Sequence, residues 1–210
     1  MIDCVIFAGA DMDTSFIDAH ELENRYIICA DRGVVYAKQL GIKPDLIVGD
    51  FDSLGYVPEE DCDVLAFKPE KDDTDLMIAV KQALSKGKKN LRIYAALGGR
   101  LDHTFASIQT LSFALDNGAR AELVSQSEFV TLLDAGEYSF ENKAGRSLSL
   151  FSYSETVSGL TIKGAKYTLE NAQINSSFPI GISNEITSDK ASVSFEKGRL
   201  LVICSSVTTS

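Results

Sequence analysis

Apolar runs of strand length alternate with helical patterns up to about residue 125, and there the alternation stops. The runs fall at 4–8, 26–30, 46–48, 64–67 and 91–96. Between them, 34–40 reads as a helix ending at Gly41. Leu76, Val80 and Leu84 share one helical face, and Phe105, Ile108, Leu111, Ser112 and Leu115 share another, which stops at Gly118. Strands that are apolar throughout are buried on both faces. With helices between them, they predict an α/β domain over 1–127 with a mostly parallel, Rossmann-like sheet. Beyond residue 128 the helical period is absent. Short strands are expected at 129–133, 138–140, 147–153, 160–162, 191–195 and 200–203, punctuated by Gly136, Gly145, Gly159, Gly164, Gly181 and Gly198. This predicts a second domain over 128–210, an all-β sandwich or barrel.

Charge and composition exclude several function classes. A net charge of -10 does not suit a nucleic-acid surface, which needs clustered Lys and Arg to neutralise phosphates. No apolar run is long enough to span a membrane, and the first residues open directly into a strand pattern without a basic leader. Cys4, Cys29, Cys62 and Cys204 form no CxxC pair. They read as small buried hydrophobes in a reducing cytoplasm.

Three acidic motifs follow expected strands. Gly49-Asp50-Phe51-Asp52-Ser53 comes after 46–48, Lys71-Asp72-Asp73-Thr74-Asp75 after 64–67, and Gly98-Gly99-Arg100-Leu101-Asp102-His103 after 91–96. Ligands of open α/β sheets bind beyond the carboxyl ends of the strands. Singly, each motif has a structural reading: Asp72, Asp75 and Asp102 as helix caps or first-turn acids, Asp50 and Asp52 as loop solvation. Together, several carboxylates at one sheet edge repel one another unless a cation sits among them. Asp50 and Asp52 can converge on one hard cation if their loop leaves extended geometry. Glycines beside two of the motifs admit phosphates, and Arg100 and Lys71 supply positive charge. The reading is Mg²⁺–nucleotide chemistry. GxxxxGK[ST] and GxGxxG fingerprints are absent, so an ordinary P-loop enzyme or dinucleotide dehydrogenase is not expected.

The motifs, joined by Ala30-Asp31-Arg32-Gly33 and Ile42-Lys43-Pro44-Asp45, resemble in order and spacing those of thiamine pyrophosphokinases. The stretches Gly159-Leu160-Thr161-Ile162-Lys163-Gly164-Ala165-Lys166-Tyr167, Gly181-Ile182-Ser183-Asn184-Glu185 and Gly198-Arg199-Leu200-Leu201-Val202 resemble that family's C-terminal part. The resemblance implies a cytoplasmic homodimer with a shared site that moves diphosphate from ATP to thiamine, leaving AMP. It implies Asp50, Asp52, Asp75 and Asp102 as catalytic acids, the first three holding Mg²⁺. It implies Asp31, Lys71, Asp72, Thr74, Arg100 and His103 around ATP, and Ser183 and Asn184 around thiamine. The chain departs from the family at Arg32, where relatives carry glycine. It also lacks the tryptophan on which some relatives stack thiamine, leaving Phe178 or Tyr153 as aromatic candidates. Asp75 and Asp102 both remain open as the base for the thiamine hydroxyl. The rival readings are a diphosphokinase for another small alcohol, such as a hydroxymethylpterin, and a non-catalytic nucleotide-sensing module.

Overall fold

The structure, a computed structural model, describes residues 1–52, 55, 61–67 and 72–206. Strand predominates over helix, and the chain divides into two compact units, Met1–Gln126 and Ser127–Ser210.

The first unit holds β1 (Cys4–Phe7), β2 (Tyr26–Ala30), β3 (Leu46–Gly49), β4 (Asp63–Ala66), β5 (Asn90–Tyr94) and β6 (Arg120–Val124). They pair in parallel in the order β6-β5-β1-β2-β3-β4. Among the described residues, three α-helices connect them, α1 (Gly33–Gln39), α2 (Asp75–Ser85) and α3 (Leu101–Asp116), with a short 3-10 helix, Ala19–Leu22, between β1 and β2. Val5, Phe7, Ile27, Cys29 and Ile47 join Val34, Tyr36 and Ala37 of α1 in one apolar cluster. The alternate residues Cys4, Ile6 and Ile28 are equally buried, because side chains alternate across a strand and α2 packs over β1, β2 and β3 from the other side. Burial accordingly pushes the Cys4 thiol up to about 12. All four cysteines are free thiols, and only Cys62 is partly exposed.

Chain order places the turning point of this sheet between β1 and β5. The chain runs from β1 outward through β2, β3 and β4, then returns to β5 on the far side of β1. All strands point one way, so the segments after β1, β2, β3, β4 and β5 share one edge.

The second unit is antiparallel. Its members are β7 (Glu128–Glu141), β8 (Arg146–Ser152), β9 (Thr156–Lys163), β10 (Leu169–Asn175), β11 (Asn184–Glu185) and β12 (Lys190–Ser206). The long β12 is the spine. It pairs with β7 along both halves, with β9 along its first half and with β8 along its second. A register shift between Phe195 and Arg199 lets one strand serve both branches. The branches share one core that includes Leu148, Leu150, Leu160, Ile162, Val193 and Leu200.

Several details differ from the sequence reading. Gly136, Gly159 and Gly198 lie inside strands, and each pair of short strands expected around 129–140 and 191–203 is one long strand. Gly198, at φ 94, sits at the shift, where a Cβ would lie 2.3 Å from the Thr156 carbonyl oxygen. Strand β6, too polar to be read as a core run, is present. In α3 the buried face is Ser107, Thr110, Leu111 and Ala114, so Phe105 is exposed. Polar Ser107 and Thr110 can face inward because their hydroxyls bond to the carbonyls of His103 and Ala106. Among the described residues, no helix is long and apolar enough to cross a membrane.

One close approach locks the shared edge. A Cβ on Gly33, at the start of α1, would lie 1.9 Å from the Phe7 carbonyl oxygen. At Gly9 it would meet nothing nearer than Asp31 Oδ2, at 3.6 Å. Gly33→Ala should therefore lower unfolding free energy by about 3 kcal/mol or more, through forced overpacking. Gly9→Ala should stay within about 0.5 kcal/mol of the parent. Urea unfolding measures both, and equal losses would contradict the close approach.

Candidate functional site

The loop after β3 leaves extended geometry at once. Phe51 has φ 59, and the Asp52 N–H donates to Asp50 Oδ1 at 3.2 Å. A left-handed conformation at a non-glycine residue costs on the order of 1–3 kcal/mol. Burial of the Phe51 side chain, 3% exposed within the α1 cluster, offsets that by about 1.5–3 kcal/mol. The aromatic side chain is thus an anchor that holds its two flanking aspartates in a tight turn. Asp50 is half-buried and Asp52 exposed.

The neighbouring loop after β2 is tied to this turn. The Asp31 N–H donates to the Val48 carbonyl at 2.8 Å, and a Cβ on Gly49 would lie 3.1 Å from Asp31 Cα. Only a residue without a side chain lets the β3 end pass so near. The ends of β1, β2 and β3 therefore converge on Asp31, which also faces Gly9.

After β4, Thr74 caps α2. Its Oγ1 accepts the Met77 N–H at 3.1 Å, and Asp75 opens the helix half-buried. Asp72 is exposed, and Asp73 pairs with Lys81 at 2.6 Å. Lys71 and Ser53 lie outside the described residues.

After β5, Gly98 and Gly99 turn with φ 86 and 70 into α3. The Arg100 guanidinium grips Asp102 through two hydrogen bonds of 3.1 and 2.6 Å, and the His103 N–H donates to the same carboxylate at 3.0 Å. These contacts, led by the Arg100 hydrogen bonds, hold the Asp102 carboxyl below its ordinary range.

Sheet order alone sets the β5 loop three strand spacings from the β3 loop, roughly 14 Å. Helix α2 returns from β4 across β3 and β2 to β1 and packs beside α3. Asp75 opens the first helix and Asp102 lies in the first turn of the second. Among the described residues, no three carboxylate, histidine or cysteine groups converge as a closed metal cage. Magnesium does not require one, because it is commonly held by one or two carboxylates with substrate phosphates and water completing the shell. The hard oxygens of Asp50 and Asp52, on their anchored turn, fit that description.

In the second unit, Ser183 adopts φ 57 and its N–H donates to Ser149 Oγ at 3.0 Å. Asn184 is buried. Its side chain accepts the N–H groups of Tyr167 and Glu185 and donates to the Tyr167 carbonyl at 2.7 Å. It acts as a clamp between β11 and the Tyr167 segment. In this unit Tyr167, Phe178, Ile180 and Ile182 are each more than half exposed, whereas Tyr153 is half-buried.

Sequence reasoning passed over a cavity of about 640 Å³ at the carboxyl edge, lined by Arg32, Tyr36 and the segment Asp11 to Thr14. Arg32 was its one visible signal. Another cavity, of about 690 Å³, lies at the opposite edge. Its charges are largely engaged: Lys43 with Asp61 at 2.7 Å, His20 with Glu23 at 2.9 Å, and Asp45 with the Ile27 N–H at 2.7 Å.

The family model described as "Thiamin pyrophosphokinase, catalytic domain" matches residues 19–136, and "Thiamin pyrophosphokinase, vitamin B1 binding domain" matches 137–200. A thiamine pyrophosphokinase from Bacillus subtilis (strain 168) is 32% identical over 196 residues, covering 90% of each chain. The crystal structure of a thiamine pyrophosphokinase from Bacillus subtilis superposes with a TM-score of 0.85 at 29% identity, covering 98% of this chain and 99% of that one. A thiamin pyrophosphokinase family protein from Enterococcus faecalis gives 0.84 at 26% identity, with the same coverages.

The Arg100–Asp102 contact has a pH signature. A depressed folded-state pKa favours folding above the ordinary carboxylate range, and that contribution is lost as pH falls through the lowered value. Arg100→Gln should move the Asp102 carboxyl back up toward its ordinary value in a carbon-13 NMR titration. An unmoved titration would show that Arg100 does not hold Asp102 in solution.

Proposed function

The chain belongs to the thiamine pyrophosphokinase family, and we infer that it transfers a diphosphoryl group from ATP to the hydroxyl of thiamine, releasing AMP. The observation that carries the site assignment is the Asp50-Phe51-Asp52 turn, anchored by a buried ring at the carboxyl end of β3. The first unit, with its parallel Rossmann-like sheet, binds ATP. The second, a β-sandwich, supplies thiamine contacts.

Asp50 and Asp52, with Asp75 from α2, would hold Mg²⁺ against the phosphate chain. When bound, that ion offsets negative charge on the phosphate oxygens as the bond to AMP breaks. Asp31 and Thr74 flank the same edge, Asp72 and His103 lie farther along it, and Lys71 belongs to the same motif. The thiamine hydroxyl attacks the β-phosphorus, and Asp75 or Asp102 accepts its proton. For Asp102, charge and position both matter. While Arg100 grips it, it is a weak base, so release of Arg100 to phosphate frees the carboxylate as it seats the nucleotide. Ser183 lies at the thiamine pocket, and Asn184 shapes that pocket by clamping its wall. A net charge of -10 favours approach of the thiamine cation.

A homodimer with a shared site is part of this reading. Phe178, Ile180 and Ile182 expose apolar side chains at alternate positions, and such patches mark interaction surfaces. A reducing cytoplasm suits a chain with three buried free thiols.

ATP labelled at the β-phosphorus should deliver its label to thiamine, with AMP and thiamine diphosphate formed one for one. Products of ADP and thiamine monophosphate would overturn the mechanism. Asp50→Asn, Asp52→Asn and Asp75→Asn should each cut turnover by about 10²-fold or more while far-UV dichroism is preserved. Near-normal rates in all three would return those residues to a structural role. Sedimentation at assay concentration should show a dimer, and a fully active monomer would reject the shared site.

A further inference from the structure

Arg32 stands where the parallel edge is most tightly built. Gly33 beside it is packed against the Phe7 carbonyl, where no side chain would fit. Its guanidinium is half-exposed and pairs with Asp11 at 3.1 Å, whose own side chain is 91% exposed. Such a solvated ion pair contributes little to stability and parts easily.

The pair closes one side of the cavity of about 640 Å³, whose lining includes Asp11, Asp13, Arg32, Val35, Tyr36 and Gln39. The cavity is a shallow hollow, largely open to solvent along its outer side. The walls are set from within. Tyr36 is buried and its hydroxyl donates to the Ala10 carbonyl at 2.6 Å, pinning the segment that follows β1. Asp13 is engaged by the Ser15 N–H and hydroxyl, both at 2.9 Å. Among the described lining residues, Arg32 is the one cation. The cavity adjoins Asp31 across Gly9: a Cβ there would lie 3.6 Å from Asp31 Oδ2 and 3.9 Å from Arg32 Cβ. Asp31 in turn touches the Gly49 end of β3. A continuous edge therefore runs from the cavity, over side-chain-free Gly9, to the Asp50–Asp52 turn.

We propose that Arg32 is a phosphate-binding residue of the nucleotide site, and that the cavity beside it takes the nucleoside end of the nucleoside triphosphate. The base and sugar lie over Val35, with the Gln39 amide within reach of their polar edges. The phosphate chain crosses Gly9 toward Asp50 and Asp52. Arg32 exchanges Asp11 for phosphate oxygens, for which its planar fork is suited. Asp11 thus competes with nucleotide for Arg32. This deepens the ATP-dependent reading above and rests on it.

The test is calorimetric titration of the full chain with a non-hydrolysable ATP analogue and Mg²⁺, without thiamine. Arg32→Ala should weaken binding about tenfold or more, and Arg32→Lys by less, since charge remains but the fork is lost. Asp11→Asn should leave affinity unchanged or tighten it by about twofold, because a competitor has been removed. Should Arg32→Ala fail to fold, Arg32→Gln reads the same quantity with the side-chain length kept. Unaltered affinity in the folded Arg32 variants would overturn the proposal. So would Asp11→Asn weakening binding as much as Arg32→Ala, which would make the pair a mere loop tie. A parent chain that binds the analogue through Arg32 but makes no thiamine diphosphate would sink the functional reading and leave this one standing.

Discussion

No side chain can occupy position 33, and much of the first unit follows from that. The start of α1 rests on the Phe7 carbonyl, so the ends of β1 and β2 and the opening of the helix form one rigid corner. Gly49 extends the corner to β3 by the same device, passing within contact of Asp31. The acids after these strands inherit their positions from backbone packing. Phe51 completes the arrangement by trading a strained backbone angle for a buried ring.

Electrostatics then shape what the edge can do. Carboxylates from the β2, β3 and β4 loops stand along one rim, and like charges so gathered favour a cation. The rim does not form a closed cage among the described residues, which leaves room for phosphate oxygens in a metal's coordination shell. Two arginines at this edge, Arg32 and Arg100, are each paired with an aspartate on the surface. Both pairs are exposed and cheap to open, so both guanidiniums are available to an arriving anion.

Much of this was legible in the sequence, for physical reasons. Runs such as Cys-Val-Ile-Phe at β1 and Tyr-Ile-Ile-Cys-Ala at β2 are apolar at every position because both faces are covered, and few other structures use that pattern. The start of α2 was legible as an acidic stretch, with Asp72 and Asp75 read as cap or first-turn acid, but the residue that caps it is Thr74. Strand β6, Arg-Ala-Glu-Leu-Val, was missed because its outward positions carry charge, Glu122 pairing with Arg92 at 2.6 Å. The glycines of β7, β9 and β12 read as turns, since a glycine that permits a bulge looks the same in sequence as one that ends a strand. The acidic motifs could be found by spacing. That Arg100 grips Asp102, or that Asn184 clamps Tyr167, could not, because side-chain pairing is decided by tertiary approach. Apart from Arg32 itself, the cavity left no trace in the sequence for the same reason: Asp11 and Tyr36 meet it only after the chain has folded.

The central claim is that the anchored turn after β3 carries the metal–nucleotide chemistry of this edge. Manganese is a spectroscopic stand-in for a hard divalent ion bound by carboxylate and phosphate oxygens. Electron paramagnetic resonance can count the manganese bound to the folded chain in the presence of ATP. The account predicts that the parent chain with ATP binds manganese, and that Asp50→Asn combined with Asp52→Asn abolishes the protein-bound signal while the fold is retained. An undiminished protein-bound signal in the folded double variant would contradict it.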